Sequence, residues 1–489
     1  MDSLPGDRAA HVRQFVTAAK DELRRGAWLA LVCLALVGLF AIYHFYLRRL
    51  MLDAGLVLGA VRPGMKVYRI VPLYVYWHPH WKTGLLVAPI VLAALMIWFR
   101  RIGRERLSRP RFIVTLMAWH VVVACAVAMI DGGLKKLWEP YITHHASDYI
   151  DAVPRIETPR QFLADYARLM PELPLHCRHH PPGGPLLLWL VARLLAPGPV
   201  AASLATIFIS SLAIPAVYCL AREALDEPAA RLATLLFMLA PNVVCYSATC
   251  MDAVFMVPIV WSFALAWMGR SRRPVLYGVA AGLTTALAAL MTFSTSFIAL
   301  WALVSLFLTA TLDRGQLRNN VLTLAAALLA AAVFYAQLYV WSGYDPWQVL
   351  NAAFEGQAGV MKGRGHSSLR QSVYFAVTNL VAFSFGSGLP LTVLSVGQAS
   401  RELIGRVATP SRALTVSFFA SLLLVDLAPL YTLETERIWI FMVPFLAIAA
   451  AAWLDRERKG QTGSRLMWWA LALLAVQTVV METLLEMVW

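Results

Sequence analysis

Charge is scarce in this sequence. Lys, Arg, Asp and Glu together make up 14% of the 489 residues, against roughly 25% in soluble domains. That excludes a disordered chain and an ordinary soluble enzyme. Acidic residues are the rarer sign, 28 against 42 basic, which leaves a formal net charge of +14. No basic run is interleaved with aromatics in the manner of a nucleic-acid groove, so no nucleic-acid partner is expected. The six cysteines include no CxxC pair, which argues against a zinc ribbon or a disulfide scaffold. A Cys177–Cys250 bridge is the one pairing that the topology below would permit.

What remains is apolar. Hydrophobic residues make up 60% of the chain, and the composition is that of an all-α, polytopic membrane protein. A hydrocarbon core of roughly 30 Å needs about 20 apolar helical residues. The sequence predicts thirteen such spans, at 28–47, 83–100, 112–130, 200–220, 229–247, 253–269, 274–291, 294–311, 320–341, 373–395, 413–428, 438–453 and 465–487. The polar N-terminal stretch is followed by an apolar run too long for a signal-peptide core, so the first span is read as retained. The segment Pro185–Ala196 is apolar but reaches only about 18 Å as a helix, and it carries Arg193. It is expected to lie in the membrane interface.

Basic residues set the orientation. With Glu22–Arg25 on the cytoplasmic side, the turns around 100–111, 221–231, 269–274, 313–319, 400–412 and 455–465 all fall there, and all are short and Arg-rich. The other face then holds the loop 48–82, the long loop 131–199, the turn 246–252, the loop 341–370 and the turn 428–439. This places the protein in a plasma (inner) membrane, with its polar chemistry on the extracytoplasmic side. His120 and Asp426 are the few ionisable residues at membrane depth, too few for an ion-coupled pathway.

The exported face carries the candidate chemistry. Asp148 and Asp151 are spaced i, i+3 and share one side of a helical turn. Either could take a proton from a hydroxyl, or both could touch a divalent cation, which the chemistry does not demand. No other cofactor is called for. The same spacing also suits a solvated acidic turn. His144-His145 and His179-His180 bracket this stretch. His180 and Arg178 precede Pro-Pro-Gly-Gly at the membrane surface, where a cation suits a phosphate. Asp252 opens a span, as a helix cap would. Lys362, Arg364, His366 and Arg370 crowd a glycine-bearing loop and locally break the positive-inside trend. Glu434, Glu436 and Arg437 stand at the mouth of a late span.

Three stretches together resemble a known superfamily: HHPPGGPLLLWLVARLL (179–195), VYCLAREALDEPAARLATLLFMLAPNVVCYSATCMDAVFM (217–256) and ETERIWIFMVPFLAIAAA (434–451). They are similar to the GT-C integral-membrane glycosyltransferases, in particular the bacterial relatives of protein O-mannosyltransferases and aminoarabinose transferases. The resemblance covers roughly residues 112–450. It implies a polyprenyl-phosphate-sugar donor, a glycan, lipid or protein acceptor, and an acid in the first large exported loop as general base. Carried over, that role falls on Asp148 or Asp151, and Asp252 matches the second exported acid. His180 stands where relatives carry a basic residue, and Arg364, His366 and Arg437 become candidates to hold the phosphate. In the family the first acid lies close to the end of the first core helix, so Asp131 and Glu139 stay open beside Asp148 and Asp151.

The expected organisation is an extension with two spans (1–111), a catalytic core (112–395) and C-terminal spans (396–489), with no soluble domain following. Membrane lipid is the surrounding partner. The expected reaction is an inverting sugar transfer. The rival readings are a lipid-linked saccharide flippase and a membrane acyltransferase using His120 or His366.

Overall fold

The computed structural model describes residues 5–53, 59–62, 65–79, 84–103, 107–143, 146–248, 250–360, 369–405, 409–428, 434–459 and 463–487. Ten of its helices are long and apolar enough to cross a membrane, and they coincide with ten of the thirteen expected spans. Two more expected spans are bent pairs. Glu227–Leu239 and Pro241–Ser247 meet at 56°, and Ser372–Ser387 and Leu389–Ile404 meet at 115°. The sequence explains both breaks. Pro241 has no amide hydrogen to continue the first helix. Gly388 takes a φ of +104° in the second, where a side chain would be strained. The thirteenth expected span is the helix Pro274–Ala289, which at 16 residues reaches about 24 Å and falls among the shorter apolar helices. Among the described residues the count is ten, or twelve with the bent pairs, and thirteen full spans are not confirmed.

Gly183–Leu194 is a short helix, as expected of an interfacial segment. Its Leu194 and Leu195 are each 71% exposed, which suits contact with lipid rather than with a protein core.

Two sets of contacts sort the helix ends. At one end, Glu227 takes Arg231 at 2.8 Å, Arg109 at 2.9 Å and Arg222 at 3.2 Å, and Glu223 takes Arg272 at 2.5 Å. Asn319 Nδ2 donates to the Arg270 carbonyl at 3.1 Å. Glu457 takes Arg25 and Arg401, and Glu402 takes Arg456. Exposed pairs of this kind add little stability, but they show that the Arg-rich turns share one end of the bundle. The opposite end is capped by the segment 131–199. Tyr149, Tyr166, Cys177 and Leu188 bury there against Met251, Phe255 and Tyr344 in a core cluster of its own.

A small antiparallel sheet departs from the all-helical expectation. β1 (Gly59–Arg62), β2 (Met65–Arg69), β3 (Tyr76–Trp77) and β4 (Leu485–Glu486) pair in that order. Tyr76 lies opposite Glu486, so the N-terminal extension is stitched to the last helix. Its first helix also packs on that helix: a Cβ on Gly26 would meet the Trp469 ring.

Close helix approach depends on two glycines one turn apart. A Cβ at Gly278 would lie 2.4 Å from the Thr323 carbonyl oxygen, and one at Gly282 would lie 2.2 Å from that of Ala327. This is the small-residue packing that membrane helices use. Gly38, by contrast, has open space around it. Gly282→Val is expected to destabilise the protein by about 1–3 kcal/mol, read as a lowered Tm in detergent, while Gly38→Val leaves it unchanged. Equal Tm values for both variants would contradict this packing.

Candidate functional site

The site is built where the 131–199 cap meets the mouths of two spans. The helix Asp252–Ser271 brings Asp252 in its first turn. The short helix Thr435–Ile438 brings Glu436 and Arg437. Arg437 Nη1 donates to Asp252 Oδ2, and Arg437 Nη2 donates to Glu434 Oε2 at 2.6 Å. Cys250 Sγ lies 3.0 Å from Asp252 Oδ2 and 3.5 Å from Arg437 Nη1. Asp252 and Arg437 are both buried. Glu434 holds a left-handed backbone, φ +68°, a conformation that costs a non-glycine residue about 1–3 kcal/mol and concentrates at functional sites.

The cap supplies the second half. The helix Ser147–Asp151 carries both aspartates, but they part company. Asp148 is half-buried, and its Oδ2 accepts the His176 backbone N–H at 2.9 Å and faces His176 Nδ1 at 2.8 Å. Asp151 is exposed. His176 is the residue that sequence reasoning missed. A carboxylate on Nδ1 holds the imidazole in one orientation. The signal was faint, a histidine 28 positions from its carboxylate with no fixed spacing between them.

His180 joins the two halves. Its ring lies 6.1 Å from that of Tyr149 and 5.6 Å from that of Phe255, and Tyr149 lies 6.2 Å from His176. Tyr166 Oη shares its proton between the carbonyls of Cys177 and His180, each at 2.9 Å. The Gly-Gly after the prolines has a packing reason. Gly183 N donates to the Leu290 carbonyl at 2.7 Å, and a Cβ on Gly184 would lie 2.7 Å from the Tyr149 ring. The PPGG turn therefore seats the interfacial helix directly on the cap.

Electrostatics revise one expectation. Burial pushes the His180 imidazole down to about 4, with Asp252 working against it and His176, Arg437 and His179 with it. That shift favours the neutral form of His180 at physiological pH. Burial likewise holds the Cys250 and Cys177 thiols up, so both are protonated. All six cysteines are free, so the Cys177–Cys250 bridge does not form. Each thiol instead leans on an aspartate of the site, Cys177 Sγ on the Asp148 carbonyl at 3.4 Å and Cys250 Sγ on the Asp252 carboxylate.

The other expected residues scatter. Arg178 is exposed and donates through Nε to the Leu173 carbonyl at 2.6 Å. Glu436 is buried, and its Oε1 accepts the Tyr74 backbone N–H at 2.7 Å, so one of its oxygens anchors the N-terminal extension. Lys362, Arg364, His366, His144 and His145 lie outside the described residues, as do the side chains of Arg370 and Asp131. Glu139 is held by Lys135 and Lys136 at 3.3 and 2.8 Å. His120 is buried in its span with Nε2 3.2 Å from Ser210 Oγ. Asp426 accepts from Asn379 at 3.2 Å. Among the described residues, no three His, Cys, Asp or Glu side chains converge as metal ligands.

The family model for dolichyl-phosphate-mannose-protein mannosyltransferase matches residues 179–341. The oligosaccharyltransferase of Archaeoglobus fulgidus, in complex with zinc and sulfate, superposes with a TM-score of 0.50 at 16% identity, over 75% of this chain and 53% of that one. ArnT from Cupriavidus metallidurans bound to undecaprenyl phosphate gives 0.47 at 16% identity, over 71% and 62%. The chain has a GT-C fold. It spans about half to three fifths of the length of those structures. No curated protein matches its sequence. Within the GT-C fold the cap 131–199 and the mouths of the spans 252–271 and 435–457 are one connected surface, and the matched segment runs through its centre.

Two outcomes are expected. Arg437→Gln leaves Asp252 buried without its counter-charge and should cost about 3–5 kcal/mol. Asp252→Asn in the same chain should restore part of the lost Tm, and a double variant no better than the single one would sink the pairing. For His180, the folded state binds its proton more weakly than the unfolded chain, whose pKa is near 6.5. The unfolded state therefore gains protons first, and stability is lost as pH falls from about 6.5 towards 4. Tm against pH should slope less over that window in His180→Gln than in the parent protein.

Proposed function

We propose that this protein is a membrane glycosyltransferase that moves a sugar from a polyprenyl-phosphate donor to an acceptor hydroxyl at the extracytoplasmic face of a plasma membrane. The observation that carries this reading is the meeting of Asp148–His176, His180 and Asp252–Arg437–Glu434 at the end of the bundle opposite the Arg-rich turns. The matching family model is named for a lipid-linked sugar donor, and a lipid donor reaches such a site sideways from the bilayer.

Sugar transfer from a phosphate needs a base on the attacking hydroxyl and positive charge on the leaving group. Asp148 and His176 together suit the first role. The carboxylate orients the imidazole, and the proton of the acceptor hydroxyl passes to that pair as oxygen attacks the anomeric carbon. A single displacement of this kind inverts the anomeric centre. The second role cannot rest on Arg437 alone, because two carboxylates already flank it. The basic segment Lys362–Arg370 suits it better. Gly356, six residues before it, stands beside the cap: a Cβ there would lie 3.5 Å from the His179 ring. Asp252 and Glu434 then position Arg437 and offer acceptors to sugar hydroxyls. The core 112–395 supplies Asp148, His176, His180 and Asp252 in this reading, the segment 396–489 adds Glu434 and Arg437, and the segment 1–111 braces them.

Transfer of radiolabelled sugar from a polyprenyl-phosphate donor in membranes containing the protein tests the activity. Asp148→Asn and His176→Gln should each lower kcat about 10²–10⁴-fold, with Asp151→Asn close to the parent. Loss in Asp151→Asn with full activity in Asp148→Asn would reverse the assignment. Orientation is checked separately. A cysteine placed at the exposed Asp151 should react with an impermeant maleimide applied outside intact cells, and one placed at Arg314 should not.

A further inference from the structure

Far from this site, the Arg-rich end of the bundle holds a buried cation with no carboxylate on it. Arg270 stands in the last turn of Asp252–Ser271 and is 5% exposed. Its guanidinium lies flat over the Trp267 ring, 3.9 Å from the centroid. Among the described residues, its Nε and Nη1 are buried with no hydrogen-bond partner, and so is the indole Nε1 of Trp301. These donors line one small cavity together with Ser305 and Asn320. Asn320 is locked there, since its Nδ2 donates to Thr309 Oγ1 at 3.1 Å.

Asp313 attracts Arg270 but forms no ion pair with it, and a buried guanidinium without a bonded anion is expensive, with its unpartnered donors adding to the cost. The ring beneath Arg270 offsets part of it. The orphan groups are all donors, so they ask for an acceptor that carries negative charge. The cavity is of water size and takes one oxygen atom rather than a whole headgroup. It lies near the ends of Asp252–Ser271 and Leu317–Ser342, on the Arg-rich side of the bundle, within reach of membrane phosphates. Arg273, Arg314 and Arg318 are exposed in the flanking turns, with Asp313 the one acid among them.

We infer that Arg270, Trp301 and Ser305 form a phosphate-oxygen site between the helices Asp252–Ser271, Ser296–Leu312 and Leu317–Ser342, and that its occupant is the phosphate of an anionic phospholipid. Basic crevices between spans recognise lipid headgroups in this way. The site is separate from the sugar-transfer centre and does not depend on that reading.

Tm of the purified full-length protein, delipidated in neutral detergent, provides the test, with phosphatidylglycerol, phosphatidylcholine, inorganic phosphate or sodium chloride added. Phosphatidylglycerol is expected to raise Tm saturably, with phosphatidylcholine and chloride without effect and inorganic phosphate acting at least tenfold more weakly. Arg270→Gln should abolish the rise. Trp301→Phe keeps the ring and removes one donor, so it should shift the midpoint to at least threefold higher lipid, which preserves the test if Arg270→Gln does not fold. Inorganic phosphate equal to the lipid would assign the site to a free anion. A rise with chloride, a rise of the same size in Arg270→Gln, or no rise in the parent protein would each overturn the proposal.

Discussion

The Arg437 guanidinium, buried where the cap meets the spans, is answered by two carboxylates, one of them from a distant part of the chain. Arg437 takes Asp252 from one span and Glu434 from the turn before its own. Removing either Asp252 or Arg437 would leave the other as an uncompensated buried charge. The requirement fixes the mouth of Asp252–Ser271 against the mouth of Thr435–Glu457, 185 residues apart. Once those mouths are joined, the cap has one place to land, and His180 fills the space between.

Much of this was legible in the residues. Apolar run length gave the spans, because a bilayer demands it. The short stretch after Pro-Pro-Gly-Gly was readable as interfacial because twelve residues cannot cross. Arginine placement sorted the turns onto one end, and the ion pairs of Glu227, Glu223 and Glu457 bear out that sorting. Asp148, Asp252 and Arg437 were visible as isolated polar residues in apolar surroundings.

Other features were hidden for physical reasons. Partner choice is a matter of three-dimensional packing: nothing in the spacing of Asp148 and Asp151 says that one meets His176 and the other meets water. The charge state of His180 depends on Tyr149 and Phe255 closing around it, which a sequence cannot display. A hinge such as Gly388 looks like any glycine in an apolar run until its φ is known. The sheet went unseen because its strands are two to five residues long and one of them comes from the far end of the chain.

The extension does more than precede the core. β3 is laced to β4 at the foot of the last span, and two residues before β3 the Tyr74 amide grips Glu436, the immediate neighbour of Arg437. The first and last segments of the chain thus close a loop of backbone hydrogen bonds around the residue beside the buried cation. Loss of the β3–β4 pairing would loosen that hold on Glu436, one residue from the guanidinium.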